Sequence, residues 1–458
     1  MTLSILALLL ALPPAVHDGE DEGKDWCAQA PSAEFTVGLR GTSRRRPDSP
    51  ARFALRARKI LPVSDGIRPV DEGVVLVRDG KIEAVGKGLE IPSGYEVLEF
   101  PDAWVFPGFV DLHSHIQGGG AFQETNDMSH PTNPELRVLD AVSPWNEAMQ
   151  DAVAAGVTTI LAIPGSGTNL SGFGVLLKLK NVDAVDEMVL RDPGAMKIAQ
   201  AWNPERGAGD LGASRMGETW MMHSLFRRML GFLEEEGGQA PKRGLAPKRG
   251  QAPRRAVPDP VSEPDPVPPD LRLLADVFRG KTPVLIHTAG ARDVMATARM
   301  FHDVYGLRAV VSHGCFNGMW VAPELAARGL PTNLGPRNYD WTFQADARFY
   351  GVVAAYAEAG CPEISINTDA SVVPQEELFL QGAMSARFGA DLELCLRACT
   401  LNPARSIGVG DRIGSLDPGK DADFVVKAGP PFDVRTPIEM VVIDGEVVYE
   451  RSRDGQRY

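Results

Sequence analysis

The chain has 458 residues, of which 44% are hydrophobic, and it carries a formal net charge of −13 at pH 7. This length is too great for one small domain and fits a large α/β body with an appended domain. The negative charge argues against a nucleic acid as the main partner, because that polymer is usually bound through a basic surface.

The first 30 residues predict an export signal. An apolar run from Leu3 to Leu12 is shorter than the roughly 20 residues that a membrane-spanning helix needs, but it fits the apolar core of a secretory signal. Two features argue against such a signal: no Lys or Arg precedes the run, and the best small-x-small cleavage site, Ala28-Gln29-Ala30, follows an acidic patch. On the strength of the apolar run we expect an exported protein, periplasmic or extracellular, without an integral membrane segment; a cytoplasmic protein is the alternative.

Two β-rich flanks surround a long central region. Residues 52–105 and 413–452 alternate short apolar runs with Gly, Asp and Pro, as in GVVLVRDGKIEAVG and IEMVVIDGEVVYE. This pattern is typical of antiparallel strands joined by tight turns. We expect the two flanks to meet in one small β-sandwich.

The central region, residues 106–412, predicts a (β/α)8 TIM barrel, an α/β fold. Segments with helical periodicity, such as PWNEAMQDAVAAG, separate most of its apolar, β-branched runs. Eight such strands with intervening helices describe this barrel, whose catalytic groups lie at the C-terminal ends of the strands. The runs are WVFPGFVDLH, VTTILAIP, FGVLLKLK, AMKIAQAW, PVLIHT, RAVVSHG, LPTNLGP and EISINTDA.

One segment does not fit the barrel. Residues 234–269 contain an approximate six-residue repeat, QAPKRG, LAPKRG and QAPRRA, followed by PDPVSEPDPVPPD. Pro and charge at this density bury too little apolar surface to offset the entropy of ordering. We expect a disordered insertion after the fourth strand that serves as a tolerated loop. The alternative is that its basic repeat binds an acidic surface.

The first predicted strand carries two histidines in the phrase FPGFVDLHSHI, residues 106–116. His113 and His115 lie two residues apart, so both imidazoles leave the same face of a strand. Two neutral imidazoles that converge on one point form half of a divalent metal site.

Further candidate ligands stand at or near the C-terminal ends of other predicted strands. They are Lys197 on the fourth strand, His287 on the fifth, His313 on the sixth and Asp369 on the eighth. The chain has eight histidines, and four of them stand at the ends of apolar strands. Packing alone does not explain these four, because each would need a buried hydrogen-bond partner. Together with His113 and His115, these residues predict a divalent metal centre.

Lys197 has two interpretations. A protonated lysine beside dications would be repelled, so a metal role requires the neutral amine to react with carbon dioxide and form a carbamate, which could bridge two ions. The alternative is a lysine that forms a salt bridge at the end of a strand.

On these residues and motifs the chain resembles the metal-dependent amidohydrolase superfamily, from about Arg52 to Glu450. PGFVDLHSH, NTDA with Asp369, LRACTLNPAR and GSLDPGKDADFVV match its pattern, as do the two later histidines. Within it the chain is most similar to the imidazolonepropionase-like amidohydrolases, several of which are exported. In this family a lysine is followed five residues later by a glutamate that bridges two metal ions. Here Trp202 stands at that later position, so Lys197 is the obvious bridging residue. The number of ions, one or two, stays open. The resemblance implies zinc and self-association into a homo-oligomer.

The expected chemistry is attack of a metal-activated hydroxide on the carbonyl of a small amide or cyclic amide. Asp369 would act as general base and acid, and His313 would help to hold the oxyanion. Arg337 and Tyr339, in the phrase GPRNYD, are candidate substrate-binding residues. Deaminase-like members often carry a glutamate shortly after the fifth-strand histidine; here TAGARD follows His287, which favours amide hydrolysis. A dipeptidase, a heterocycle deaminase and a degenerate barrel that only binds a ligand are the alternatives.

Overall fold

The computed structural model describes residues 50–118, 125–200, 202–205, 212, 214–237, 267–341 and 348–457. The predicted export signal, residues 1–30, and most of the predicted insertion lie outside these residues. Within the described ranges, no helix combines the length and the apolar character needed to cross a bilayer.

The strands follow the chain in numerical order. They are β1 (Arg52–Ile60), β2 (Val70–Arg78), β3 (Lys81–Lys87), β4 (Glu96–Pro107), β5 (Phe109–Ser114), β6 (Val157–Ala162), β7 (Leu170–Lys178), β8 (Val189–Ala199), β9 (Val284–Thr288), β10 (Ala309–His313), β11 (Thr332–Leu334), β12 (Tyr339–Trp341), β13 (Phe349–Gly351), β14 (Ile364–Ile366), β15 (Phe424–Lys427), β16 (Ile438–Ile443) and β17 (Glu446–Glu450).

The α-helices are α1 (Glu147–Ala154), α2 (Trp202–Glu205), α3 (Arg215–Glu235), α4 (Arg272–Phe278), α5 (Ala291–Thr297), α6 (Ala322–Arg328), α7 (Val352–Glu358), α8 (Leu378–Arg387), α9 (Leu392–Ala398), α10 (Leu401–Ser406) and α11 (Arg451–Asp454). A π-helical segment, Ala298–Val304, continues α5. Glu234 and Glu235, which we assigned to the insertion, instead end α3, where they extend its regular hydrogen bonding.

The two flanks of the chain meet in one seven-stranded sheet, ordered β17-β16-β15-β4-β1-β2-β3. The joint is β4, which pairs in parallel with β1 and antiparallel with β15. Apolar side chains from both flanks form one core on this sheet, including Leu55, Val105 and Phe424. The second layer of the predicted sandwich stays a prediction.

The central region forms a (β/α)8-type barrel whose sheet has the order β14-β11-β10-β9-β8-β7-β6-β5. Each of the eight predicted runs overlaps one of these strands, although β7 and β8 begin three and six residues before their runs. The two edge strands nearly close the sheet, because Ser114 and Ala370 form a parallel bridge. Apolar side chains such as Leu112, Leu285 and Val310 fill the interior together with Ile407.

One strand contradicts the expectation of a regular βα repeat. β7 runs antiparallel to both of its neighbours, β6 and β8. Antiparallel strands can be joined by short connections, whereas parallel strands need a crossover, usually a helix. Two reversals leave β8 parallel to β6, so the C-terminal end of β8 still lies on the same rim of the barrel as those of β5 and β6.

Candidate metal centre

The two histidines of the first barrel strand converge on one carboxylate. The Nε2 atoms of His113 and His115 each lie 3.3 Å from Oδ1 of Asp369. Nδ1–H of His115 donates to the carbonyl oxygen of Ile163 at 2.8 Å, while Nδ1 of His113 shares a hydrogen bond of 2.7 Å with the Ser312 hydroxyl. These outer partners set the ring orientation, and for His115 they leave the Nε2 lone pair facing the centre.

His287 and His313 reach the same place from β9 and β10. One ligand atom from each of His113, His287 and His313 lies within 4.8 Å of the others. Val310 belongs to the core inside the barrel, so simple alternation along β10 would turn His313 outward. Instead, His313 has φ of 72° and its Nδ1–H donates to the carbonyl of Gly335 at 2.7 Å, so the end of the strand redirects the ring.

The donor set fits a divalent metal. Among the residues that the structure describes, Nδ1 of His287 and Nε2 of His313 find no hydrogen-bond partner although both are buried, a costly state that a coordinated ion would relieve. Burial, reinforced by neighbouring Lys197 and histidines, lowers the pKa of His113 and of His287 well below its ordinary value. The imidazoles are therefore neutral at pH 7, which is the form that binds metal.

Lys197 lies inside this cluster, and within the described ranges it forms no salt bridge. Its side chain is fully buried, and its Nζ shares a hydrogen bond of 2.8 Å with Nε2 of His113. Burial lowers the pKa of Lys197 to about 7, against the opposing effect of Asp369. A substantial fraction of the amine is thus neutral at pH 7, as a reaction with carbon dioxide requires.

Asp369 follows β14 and completes the cluster. Its φ is 51°, a conformation that costs a residue other than glycine about 1 to 3 kcal/mol and is commonest at functional sites. Burial alone raises the pKa of Asp369, but the nearby His313, His115 and Lys197 outweigh it and hold the pKa below its ordinary value. The carboxylate is therefore ionised at neutral pH.

Sequence reasoning missed Asp111, which lies in β5 below the histidines and is fully buried. Its Oδ1 accepts from the backbone N–H of His113 at 2.8 Å. Its Oδ2 accepts from the N–H and hydroxyl of Thr368 and from the side chain of Gln375. The carboxylate thereby ties the first barrel strand to the segment that carries Asp369. The only sequence signal was a charged residue inside an apolar strand.

The two predicted substrate-binding residues lie beyond the end of β11. Arg337 donates from Nε to Asp340 at 2.8 Å, and its guanidinium carbon lies 5.6 Å from the centre of the Tyr339 ring. Tyr339 packs on Phe388, with ring centres 4.7 Å apart. Neither Arg337 nor Tyr339 belongs to the metal cluster. Trp202 stands where the family has a bridging glutamate, and its ring packs against Phe316.

Comparisons with known proteins place the chain among amidohydrolases. An amidohydrolase family model matches residues 351–448. The crystal structure of an amidohydrolase from Thermotoga maritima is 30% identical, with a TM-score of 0.75 over 87% of this chain and all of that chain. An imidazolonepropionase from Solibacter usitatus is 26% identical over 84% of this chain and 92% of its own length.

A third relative is much longer. Amidohydrolase tasK from Hapsidospora irregularis is 26% identical over 83% of this chain, but the matched region spans only 39% of that protein. One conclusion follows from the fold, from the cluster of histidines and Asp369, and from the likeness to the Thermotoga protein, which covers all of that protein and 87% of this chain. The chain belongs to the amidohydrolase superfamily of enzymes.

Proposed function

We propose that this chain is a metal-dependent hydrolase that cleaves the C–N bond of a small amide or cyclic amide, with Asp369 as general base and acid. The observation that carries the proposal is the convergence of His113, His115, His287 and His313 with Asp369 at one rim of the barrel. Imidazoles and a carboxylate in that arrangement are the usual ligands of a catalytic dication.

The four histidines and Asp369 would hold one or two ions, most simply zinc, with a carbamate on Lys197 as the bridge between two. A bound dication lowers the pKa of a water molecule towards neutrality and polarises the carbonyl of the substrate. The two orphaned ring nitrogens of His287 and His313 support this occupancy.

Asp369 is suited to carry a proton between the nucleophile and the leaving nitrogen. Its side chain is 17% exposed and lies between the two β5 histidines, so substrate and water can reach it while its position stays fixed. Asp111 holds the backbone on both sides of that contact. In the proposed reaction Asp369 accepts a proton from water and delivers it to the departing amine. The oxyanion role expected of His313 does not fit this arrangement, because its ring proton is donated to the carbonyl of Gly335 and its Nε2 is a proposed metal ligand.

The substrate class follows from the relatives and from the loop after β9. Imidazolonepropionases and a dihydroorotase are among the proteins that the chain resembles, which supports a small or cyclic amide. The first carboxylate after His287 is Asp293, and it is buried beside Arg292 and Arg215. It is therefore not available to protonate a ring nitrogen, which disfavours a heterocycle deaminase.

The test is a substrate panel with metal analysis. Purified protein should contain at least about one equivalent of divalent metal per chain and should hydrolyse members of a panel of acyl amino acids, lactams and dipeptides. Asp369→Asn should abolish most turnover while metal stays bound, and Asp303→Asn, a surface control paired with Arg328, should not. Retention of activity within about threefold in Asp369→Asn would reject its role.

Two results would favour the alternatives. Protein with less than about half an equivalent of metal, and no gain of activity on adding it, would indicate a barrel that only binds a ligand. Ammonia release from a heterocycle, without hydrolysis of any amide, would indicate a deaminase. Export remains part of the proposal, and fractionation of the expressing cells tests it.

A further inference from the structure

Three large side chains follow the C-terminal ends of barrel strands, on the rim that carries the metal cluster. Trp202, Phe316 and Arg337 each lie three residues after the end of a barrel strand, namely β8, β10 and β11. The ring centres of Trp202 and Phe316 are 5.0 Å apart, and the guanidinium carbon of Arg337 lies 5.1 Å from the centre of the Phe316 ring. We call these three residues the mouth cluster.

The mouth cluster is held next to the metal centre. Phe316 follows His313 by three residues, and Arg337 follows Gly335 by two. The carbonyl of Gly335 accepts the hydrogen bond from Nδ1 of His313. The same loops that orient His313 therefore position both the phenyl ring and the guanidinium.

A buried carboxylate fixes the cluster in a strained conformation. Phe316 and Asn317 have φ values of 55° and 67°, which cost about 1 to 3 kcal/mol each in residues other than glycine. Asp340 offsets this cost, because its carboxylate accepts the backbone N–H groups of Phe316 and Asn317 at 3.1 and 2.9 Å and Nε of Arg337 at 2.8 Å.

The strained loop presents its phenyl ring to solvent instead of burying it. Phe316 is 43% exposed and Trp202 is 48% exposed, although burial of such rings is strongly favourable. The Nη groups of Arg337 make no hydrogen bond to the part of the chain that the structure describes. Two partly exposed aromatic rings beside a guanidinium with free Nη donors complement a molecule that is both apolar and anionic.

We propose that the mouth cluster recognises the substrate, and that this substrate is an amide carrying a carboxylate and a flat or apolar group. The carboxylate accepts hydrogen bonds from the Nη groups of Arg337, and the apolar group packs against Phe316 and Trp202. This inference rests on the proposed amide hydrolysis at the adjacent centre.

Three acetamides test the inference by acetate release from the metal-loaded enzyme. N-acetyl-L-phenylalanine has both groups, N-acetyl-2-phenylethylamine lacks the carboxylate, and N-acetylglycine lacks the ring. The first should have the highest kcat/KM, by about tenfold or more, since a charge-assisted hydrogen bond is worth at least that factor.

Arg337→Met should lower kcat/KM for N-acetyl-L-phenylalanine about 10- to 100-fold, mainly through KM, because a remote anchor binds ground state and transition state alike. It should leave N-acetyl-2-phenylethylamine within about twofold. Phe316→Leu and Trp202→Leu should reduce the preference for N-acetyl-L-phenylalanine over N-acetylglycine. Arg435→Met, which removes a surface arginine paired with Asp433, and Trp220→Leu, on the exposed face of α3, are the matched controls.

Equal losses on all three acetamides in Arg337→Met, or no loss on any, would overturn the inference. If the wild type hydrolyses no amide, binding of phenylacetate to the metal-loaded protein by calorimetry replaces turnover. Weaker binding in Arg337→Met than in Arg435→Met would then uphold recognition while the proposed hydrolysis fails. Equal or absent binding in wild type and Arg337→Met would reject recognition itself.

Discussion

Glu218 gives a sharp test of how burial acts on a charge in this protein. It lies in the first turn of α3 and is fully buried. Its Oε1 has no hydrogen-bond partner within the described residues, and its Oε2 lies 3.4 Å from Nη1 of Arg215. Burial raises the pKa of Glu218 from its ordinary value of 4.5 to about 7, although Asn169 and Arg215 partly oppose it.

The sign of the pH effect follows from this raised pKa. Between pH 4.5 and about 7 the folded protein keeps the proton that the unfolded chain has lost, so stability falls as the pH rises through that window. The difference corresponds to roughly 3 kcal/mol, since a tenfold change in proton affinity is worth about 1.4 kcal/mol. The glutamine in Glu218→Gln has the shape of the glutamate but cannot ionise. The stability of this variant should therefore not fall as the pH rises through that window.

The measurement is the urea midpoint of wild type and variant at pH 5, 6, 7 and 8. The two proteins should be similar at pH 5, and Glu218→Gln should be more stable at pH 8 by up to about 3 kcal/mol. Glu235→Gln, at the exposed end of the same helix, should follow the wild type throughout. A gap that is equal at pH 5 and pH 8, or a variant less stable at pH 8, would refute the reasoning.

Three further changes have defined outcomes. Lys197→Ala should reduce bound metal from two ions to one per chain and regain activity with short carboxylic acids; an unchanged metal count would contradict a bridge. Lys178→Met removes the ion-pair partner of the buried carboxylate of Asp423, whereas Asp421 keeps Lys81 and Arg412 and Asp444 keeps Lys180. It should cost about 3 to 5 kcal/mol in urea unfolding, whereas the more exposed Lys180→Met should cost under about 1 kcal/mol. Deleting residues 238–266 should leave the melting temperature within about 2 °C, provided that Val267, which is buried, is kept.

The barrel strands could be predicted because their signal is local. Each run is apolar and β-branched, and each predicted run overlaps one strand of the barrel. The polar residues that end these runs were then expected at one rim, and the structure brings them together there. Asp111 could not be placed in the same way, because its four hydrogen bonds join it to residues more than 250 positions away as well as to His113.

By itself the sequence determined where the strands lie, which residues end them, and that the flanks are rich in β-structure, since hydrophobic periodicity depends only on neighbouring residues. Only the tertiary structure decided that β7 runs antiparallel, that a positive φ turns His313 inward, and that Asp340 fixes Phe316 beside Arg337. Strand direction, strained backbone and buried charge are all stabilised by contacts between segments far apart in the chain, and no local pattern records those contacts.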